Sequence, residues 1–162
     1  MLRRVLLCLA VFSAAAHGQL ILNEDVGVLA LGSTMNLTGT TVGAGDEAAY
    51  YEGFTNTAGN WGEDYVYQFT TEVAGTYQIM SNAVTGDPDF FLLNSLDVGF
   101  DGVKDFAAGT LQADFLDAGP PEFGGPISIP AGTYYLSVDS WHGVDGNTSP
   151  QYSTWDVNII LS

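Results

Sequence analysis

Pairs of acidic residues stand where loops meet apolar stretches of the sequence. Asp46-Glu47 lies upstream of the aromatic segment YVYQFT, and Glu63-Asp64 leads directly into it. Asp87 and Asp89 bracket a proline at the head of another apolar run. Calcium takes about six to eight oxygen ligands, which carboxylates on loops supply well. Carboxylates of this kind suit a hard cation such as calcium, although no EF-hand spacing is present. The alternative is a plain solvated carboxylate surface.

A second group of candidate residues occurs in the segment DSWHGVDGN at positions 139–147. Trp141 and His142 lie there, in a predicted loop between the last two strands. Amphipathic aromatic side chains stack on sugar rings or extended peptides. Tyr135, predicted to face away from Tyr134, would extend the same platform. The alternative is that Trp141 packs under its own loop and His142 is an ordinary surface histidine.

Catalytic machinery is not indicated by the residue types. Once a leader is removed, His142 is the only histidine and no cysteine remains. Ser140 near His142 does not make a triad, which depends on geometry, and one imidazole without thiolates does not suit zinc. A carboxylate pair of the glycosidase kind stays open, although no particular pair stands out. We therefore expect a protein that is not an enzyme, with a small carboxylate-dependent hydrolase as a third reading.

The first residues are typical of a secretory signal peptide. A basic start with Arg3 and Arg4 precedes an apolar run over 5–16, and small residues follow. This pattern predicts a signal peptide over 1–18 and a single secreted domain over 19–162. The lone Cys8 lies inside the leader, so the core, bound metal, or both must stabilise the exported chain without disulfides. No later apolar run reaches the length of a membrane span.

The charge of the chain is strongly negative. Loss of Arg3 and Arg4 leaves Lys104 alone against 19 Asp and Glu, a formal charge of −18. Binding to nucleic acid requires Lys and Arg that neutralise phosphates, so no nucleic acid partner is expected. Two readings remain: bound cations offset the repulsion, or the acidity keeps the protein soluble. Composition alone favours solubility.

Alternation with period two predicts an antiparallel β-sandwich of about eight to ten strands, jelly-roll-like and all-β. In YVYQFT, Tyr65, Tyr67 and Phe69 share one face, and the last strand alternates in the same way from Trp155. Turn residues separate the segments, as expected for short antiparallel strands. The predicted strands are 26–31, 35–42, 65–70, 76–82, 89–94, 111–116, 127–129, 133–139 and 155–161.

The stretch AGTY occurs twice, at 74–77 and at 131–134, and each copy opens an alternating segment. Glycine can take the positive φ of a tight turn. Threonine favours the strand, and tyrosine anchors the core with a hydroxyl that can reach the backbone. These stretches are interpreted as strand starts rather than as sites.

Four segments in this order, EDYVYQFTTEVAGTYQIMS, GDPDFFLL, ISIPAGTYYLSVDS and YSTWDVNIIL, resemble the bacterial pre-peptidase C-terminal domain over about 37–161. That family is related to the collagen-binding modules of clostridial collagenases. The resemblance implies a non-catalytic accessory β-sandwich, often stabilised by calcium. It assigns the ion to Asp46, Glu47, Glu63 and Asp64, with Asp89 at a further family position that is either a ligand or structural.

The sequence therefore predicts a secreted, calcium-stabilised module that binds polysaccharide or fibrous protein. A structural component of a matrix, envelope or filament that packs against its own copies is the alternative.

Overall fold

The computed structural model describes residues 19–44, 63–86, 88–100, 105–115, 124–140 and 152–162. The signal peptide predicted over 1–18 lies outside this part of the chain. The described residues form eleven strands and no helix. The strands are β1 (Leu22–Val28), β2 (Ser33–Thr40), β3 (Asp64–Thr71), β4 (Gly75–Thr85), β5 (Pro88–Leu93), β6 (Val98–Phe100), β7 (Asp105–Ala107), β8 (Thr110–Phe115), β9 (Ile127–Ile129), β10 (Gly132–Ser140) and β11 (Thr154–Leu161).

Two sheets pack face to face, which confirms the predicted all-β sandwich. The five-stranded sheet has the order β1-β3-β10-β5-β8, and the four-stranded sheet has the order β2-β11-β4-β9. β6 and β7 form a separate ribbon that the sequence pattern did not reveal. No helix in the described residues is long and apolar enough to cross a membrane.

The main core lies between the two sheets and is rich in aromatic rings. Alternate residues of β3 and β11 enter it, as period two requires. Phe69 stacks on Tyr77 and on Tyr134, with ring centroids 5.9 and 5.8 Å apart. The core thus joins both AGTY tyrosines to the centre of β3.

A second apolar cluster covers the outer face of the five-stranded sheet. Val66, Phe91 and Leu93 point outward from the sheet and are fully buried. Leu20, Val98 and Ala107, from the N-terminal segment and the ribbon, are buried in the same cluster. Because both of its faces are covered, β5 is buried along its whole length, and its last four residues, 90–93, are all apolar.

One strand pair departs from the predicted antiparallel arrangement. β1 lies at the edge of its sheet and runs parallel to β3. Between the two strands the chain passes through β2 in the opposite sheet, and a crossover of this kind allows parallel neighbours. The backbone amide of Val66 on β3 donates to Asn23 Oδ1 at 2.7 Å, which ties the edge strand to the sheet.

Both AGTY stretches open a strand, but their glycines do not supply a left-handed turn. Gly75 starts β4 and Gly132 starts β10, and neither has a positive φ. Neither copy therefore uses the positive φ that glycine can take. The tyrosine hydroxyl of the second copy does reach the backbone, since Tyr134 donates to the carbonyl of Pro130 at 2.8 Å.

Candidate functional site

Segments that carry predicted site residues attach at the same end of the sandwich, here called the acidic end. Its described residues include Glu63 and Asp64 at the start of β3, Asp89 at the start of β5, and Asp139 and Ser140 at the end of β10. Antiparallel pairing of β10 with both β3 and β5 brings these strand ends together. The arrangement follows from topology, because successive antiparallel strands place starts beside ends.

Three aspartates form a row across neighbouring strands at this end. Asp139 lies opposite Asp64 on one side and opposite Asp89 on the other. Their exposed fractions are 0% for Asp64 and Asp139 and 5% for Asp89. Like charges directly opposite each other destabilise a sheet, and a nearby cation would offset this. The row is thus a feature whose stability depends on what compensates its charge.

Asp139 is not among the site residues predicted from the sequence. Asp64 begins one strand and Asp139 ends another, and antiparallel pairing of these two strands places the residues side by side. The sequence pattern predicts each strand but does not say which strands are neighbours. The missing information was the strand order.

Hydroxyl groups join the two sheets beside the aspartate row. Thr41 Oγ1 and Ser140 Oγ share a hydrogen bond of 2.9 Å, and the amide of Ser153 donates to Thr41 Oγ1 at 3.1 Å. All three residues are buried. Gly86 lies against the same corner, where a Cβ would stand 2.8 Å from Ser153 Oγ. The acidic end therefore has a tightly packed, hydrogen-bonded base.

Glu63 contacts the chain that leads toward the other predicted acidic pair. Its Oε2 accepts a hydrogen bond of 2.7 Å from the backbone amide of Gly43. Asp46 and Glu47, three and four residues after Gly43, lie outside the described residues. In the described part of the chain, no group of three or more carboxylate, imidazole or thiolate side chains could hold a metal ion.

The predicted aromatic platform is described only at Tyr135. That residue lies on the outer face of the five-stranded sheet, half-buried, and packs against the second apolar cluster. Trp141 and His142 lie outside the described residues. Ser140, the residue before Trp141, is buried at the acidic end. The two groups of candidate residues are thus attached to the same end of the fold.

A polar groove of about 520 Å³ opens at the edge of the sandwich between β1 and β2. It is lined by Glu24, Asp25, Val26, Met35, Asn36, Leu37, Thr38 and Tyr67, and it contains no predicted site residue. The hydroxyl of Tyr67 donates to the carbonyl of Thr38 at 3.0 Å and accepts from Trp155 Nε1 at 3.0 Å. Burial raises the pKa of Tyr67, so this phenol stays protonated and acts structurally.

Comparisons with known proteins give remote structural likenesses only. No protein-family model and no curated protein matches the chain. The pre-peptidase C-terminal domain of a collagenase from Bacillus anthracis is 11% identical with a TM-score of 0.42, over 90% of this chain and 100% of that one. A GH26-CBM35 β-(1,4)-mannanase from Podospora anserina is 13% identical with a TM-score of 0.41, over 81% of this chain and 28% of that one. PliG, a periplasmic inhibitor of g-type lysozyme from Aeromonas hydrophila, is 10% identical with a TM-score of 0.40, over 86% and 100%.

The first of these structures is a domain of the family whose motifs the sequence resembles. At 11% identity and a TM-score of 0.42 it does not show that the chain belongs to that family. Likenesses this remote assign neither family nor function.

Proposed function

We propose that this protein is a secreted, non-catalytic module that binds polysaccharide or fibrous protein and is stabilised by calcium. The observation that supports it best is the acidic end. There a row of buried aspartates lies beside a packed base of hydrogen-bonded hydroxyl groups. The segments that hold Asp46, Glu47, Trp141 and His142 are attached around this base. A rigid sandwich that presents loops at one end is a common basis for binding.

Calcium fits the chemistry of this end in part. Asp64, Asp89 and Asp139 offer hard oxygen donors, and Glu63 is held near the chain that continues to Asp46 and Glu47. The described carboxylates do not by themselves form a metal-holding group, so the proposal requires oxygens from residues 45–62 or 141–151. A bound calcium ion would offset repulsion among the aspartates and join the strand ends.

Thermal unfolding with and without calcium tests this proposal. Addition of about 5 mM calcium after chelator treatment is expected to raise Tm by several degrees, because an ion that binds only the folded state stabilises it. Asp89→Asn should reduce that rise, whereas Asp97→Asn, an exposed carboxylate away from the acidic end, should leave it unchanged. An equal Tm with calcium and with chelator would refute the calcium part.

Self-association into a matrix or filament is a second candidate function, favoured by an apolar edge. Four large hydrophobic residues of the β1 region are exposed: Ile21, Leu22, Val28 and Leu31. β1 is an edge strand, and an exposed edge can pair with another chain.

Sedimentation velocity over a concentration series tests self-association. If β1 mediates it, the wild type forms larger species as concentration rises, and Val28→Lys abolishes them. Val42→Lys is a matched control, because Val42 is equally exposed but follows β2 beside the acidic end. A monomer at every concentration would refute this candidate.

A further inference from the structure

A closed ring of four polar side chains lies on the outer face of the four-stranded sheet. Asn36 Nδ2 and Asn82 Nδ2 both donate to Asp156 Oδ1, at 2.6 and 2.8 Å. Asn158 Nδ2 donates to Asn82 Oδ1 at 3.1 Å, and Asn36 Nδ2 also donates to Asn158 Oδ1 at 3.2 Å. The ring spans β2, β11 and β4 and holds its members in one arrangement.

Uncharged polar residues, together with Met80 and Ile160, surround the ring on the same face. Strand register brings Thr40, Thr154 and Thr85 into one row, with a hydrogen bond between the last two hydroxyls. Thr38 lies opposite Asp156 and points outward beside the ring. We call this surface the amide face; its polar members are Thr34, Asn36, Thr38, Thr40, Gln78, Asn82, Thr85, Thr154, Asp156 and Asn158.

The amide face is nearly neutral in a chain of formal charge −16. Among the described residues, Asp156 is the only charged side chain on it. Hydrogen bonds from Asn82 and Asn36 hold the pKa of this carboxyl below its ordinary value of 3.8. Its charge is thus partly satisfied by two amides, and the other carboxylates of the described residues lie outside the four-stranded sheet.

We propose that the amide face binds a neutral polysaccharide chain, an inference that rests on the proposed function and names both the surface and the ligand class. Sugar hydroxyls donate and accept hydrogen bonds, and amide, carboxylate and threonine side chains meet both needs. Within the described residues, Asp156 Oδ2 and Asn36 Oδ1 accept no hydrogen bond and remain available to a ligand.

The net charge of the protein and the fixed arrangement of the ring both favour a neutral polysaccharide over other ligands. The net charge repels an anionic polymer, and a cationic one would bind the carboxylates on other surfaces rather than this face. A neutral polysaccharide is neither repelled by the net charge nor attracted to the carboxylates on other surfaces. Because the ring already fixes its side chains, binding costs less side-chain entropy than it would on a mobile surface.

Native affinity electrophoresis of the full exported protein tests the proposal. Gels contain glucomannan, arabinoxylan or mixed-linkage β-glucan, with alginate as the anionic comparison and gelatin as the fibrous protein. We expect at least one neutral polysaccharide to retard the protein and alginate not to. Asn158→Ala and Thr38→Ala should each lower the affinity for that polysaccharide, measured from the retardation, about five- to tenfold. A loss of this size is expected when hydrogen bonds are removed.

Control variants separate this inference from the proposed function. Thr133→Ala removes a comparable exposed hydroxyl from the outer face of the other sheet and should not change retardation. Thr38→Ala leaves the ring intact, so it remains informative if Asn158→Ala unfolds. Retardation that survives both amide-face variants but is lost in Trp141→Ala would overturn the inference and keep the proposed function. Binding to gelatin alone would do the same, and no binding to any polymer would overturn both.

Discussion

Gly75 and Gly132 occupy the same place in the two AGTY stretches, but their surroundings differ. A Cβ on Gly75 would stand 2.8 Å from Leu161 Cδ1 and 2.9 Å from its Cγ, and Leu161 is fully buried. A Cβ on Gly132 would stand 3.6 Å from the ring of Tyr134, an ordinary contact. The first glycine is therefore required by packing, and the second is not.

Replacing each of these glycines by alanine should have unequal effects. Gly75→Ala is expected to lower the free energy of unfolding by about 1–3 kcal/mol, because the new methyl group overpacks the core at Leu161. Gly132→Ala, the matched control, should change it by less than about 0.5 kcal/mol. Urea unfolding measures both values. Equal destabilisation of the two variants would contradict the packing argument.

The hydroxyl of Tyr67 is expected to stabilise the edge of the core. Tyr67→Phe leaves Trp155 Nε1 without its acceptor and the Thr38 carbonyl without this donor, so the variant should lose about 2 kcal/mol. Tyr65→Phe is the control, because that hydroxyl is 3.5 Å from Glu24 Oε2 and so makes a weak bond. Chemical unfolding followed by tryptophan fluorescence should show a clear loss for the first variant only.

Among the elements, β11 carries the largest share of the interactions between strands. It pairs with β2 and β4, sends Trp155, Val157, Ile159 and Leu161 into the core, and presents Asp156 and Asn158 on the opposite face. One strand thus serves both the core and the amide face, because successive side chains point to opposite sides.

The ring around Asp156 should make stability depend on acid pH. The folded pKa of this carboxyl is lowered, so its contribution is present above the ordinary value of 3.8 and is lost as the pH falls through the folded pKa. The wild type should therefore have a higher Tm than Asp156→Asn near neutral pH, and the difference should vanish in strong acid. Differential scanning calorimetry across this range measures it. A difference independent of pH would contradict a role for the charge.

At the scale of the whole molecule, charge repulsion is the dominant electrostatic feature. Without residues 1–18, 19 carboxylates face a single lysine. Ions of any kind should therefore screen this repulsion. An ion bound at the acidic end should stabilise the fold beyond the effect of screening.

Raising NaCl from about 10 mM to about 500 mM should increase Tm by several degrees through screening. Calcium at equal ionic strength should add a further increase if it binds at the acidic end. Thermal unfolding monitored by circular dichroism distinguishes the two effects. A Tm that falls with salt would show that repulsion does not limit stability.

Local patterns in the sequence determined much of this fold. Alternation in β3 and β11 predicted both strands and their buried faces, since period two depends only on the chain itself. The same reasoning predicted that both AGTY stretches begin strands. The short strands β6 and β7 were not among the predicted strands.

Only the tertiary structure decided which strands are neighbours. Pairing across long sequence separations brings Asp139 between Asp64 and Asp89, and joins Asn36 to Asp156 and Asn158. The parallel position of β1 and the packing that requires Gly75 also depend on residues distant in the chain. The sequence by itself indicated most of the longer strands and which way their side chains point, because those depend on local geometry, although β1 lies at Leu22–Val28 rather than at the predicted 26–31. It did not determine the acidic row or the amide face, because both are made by strand order.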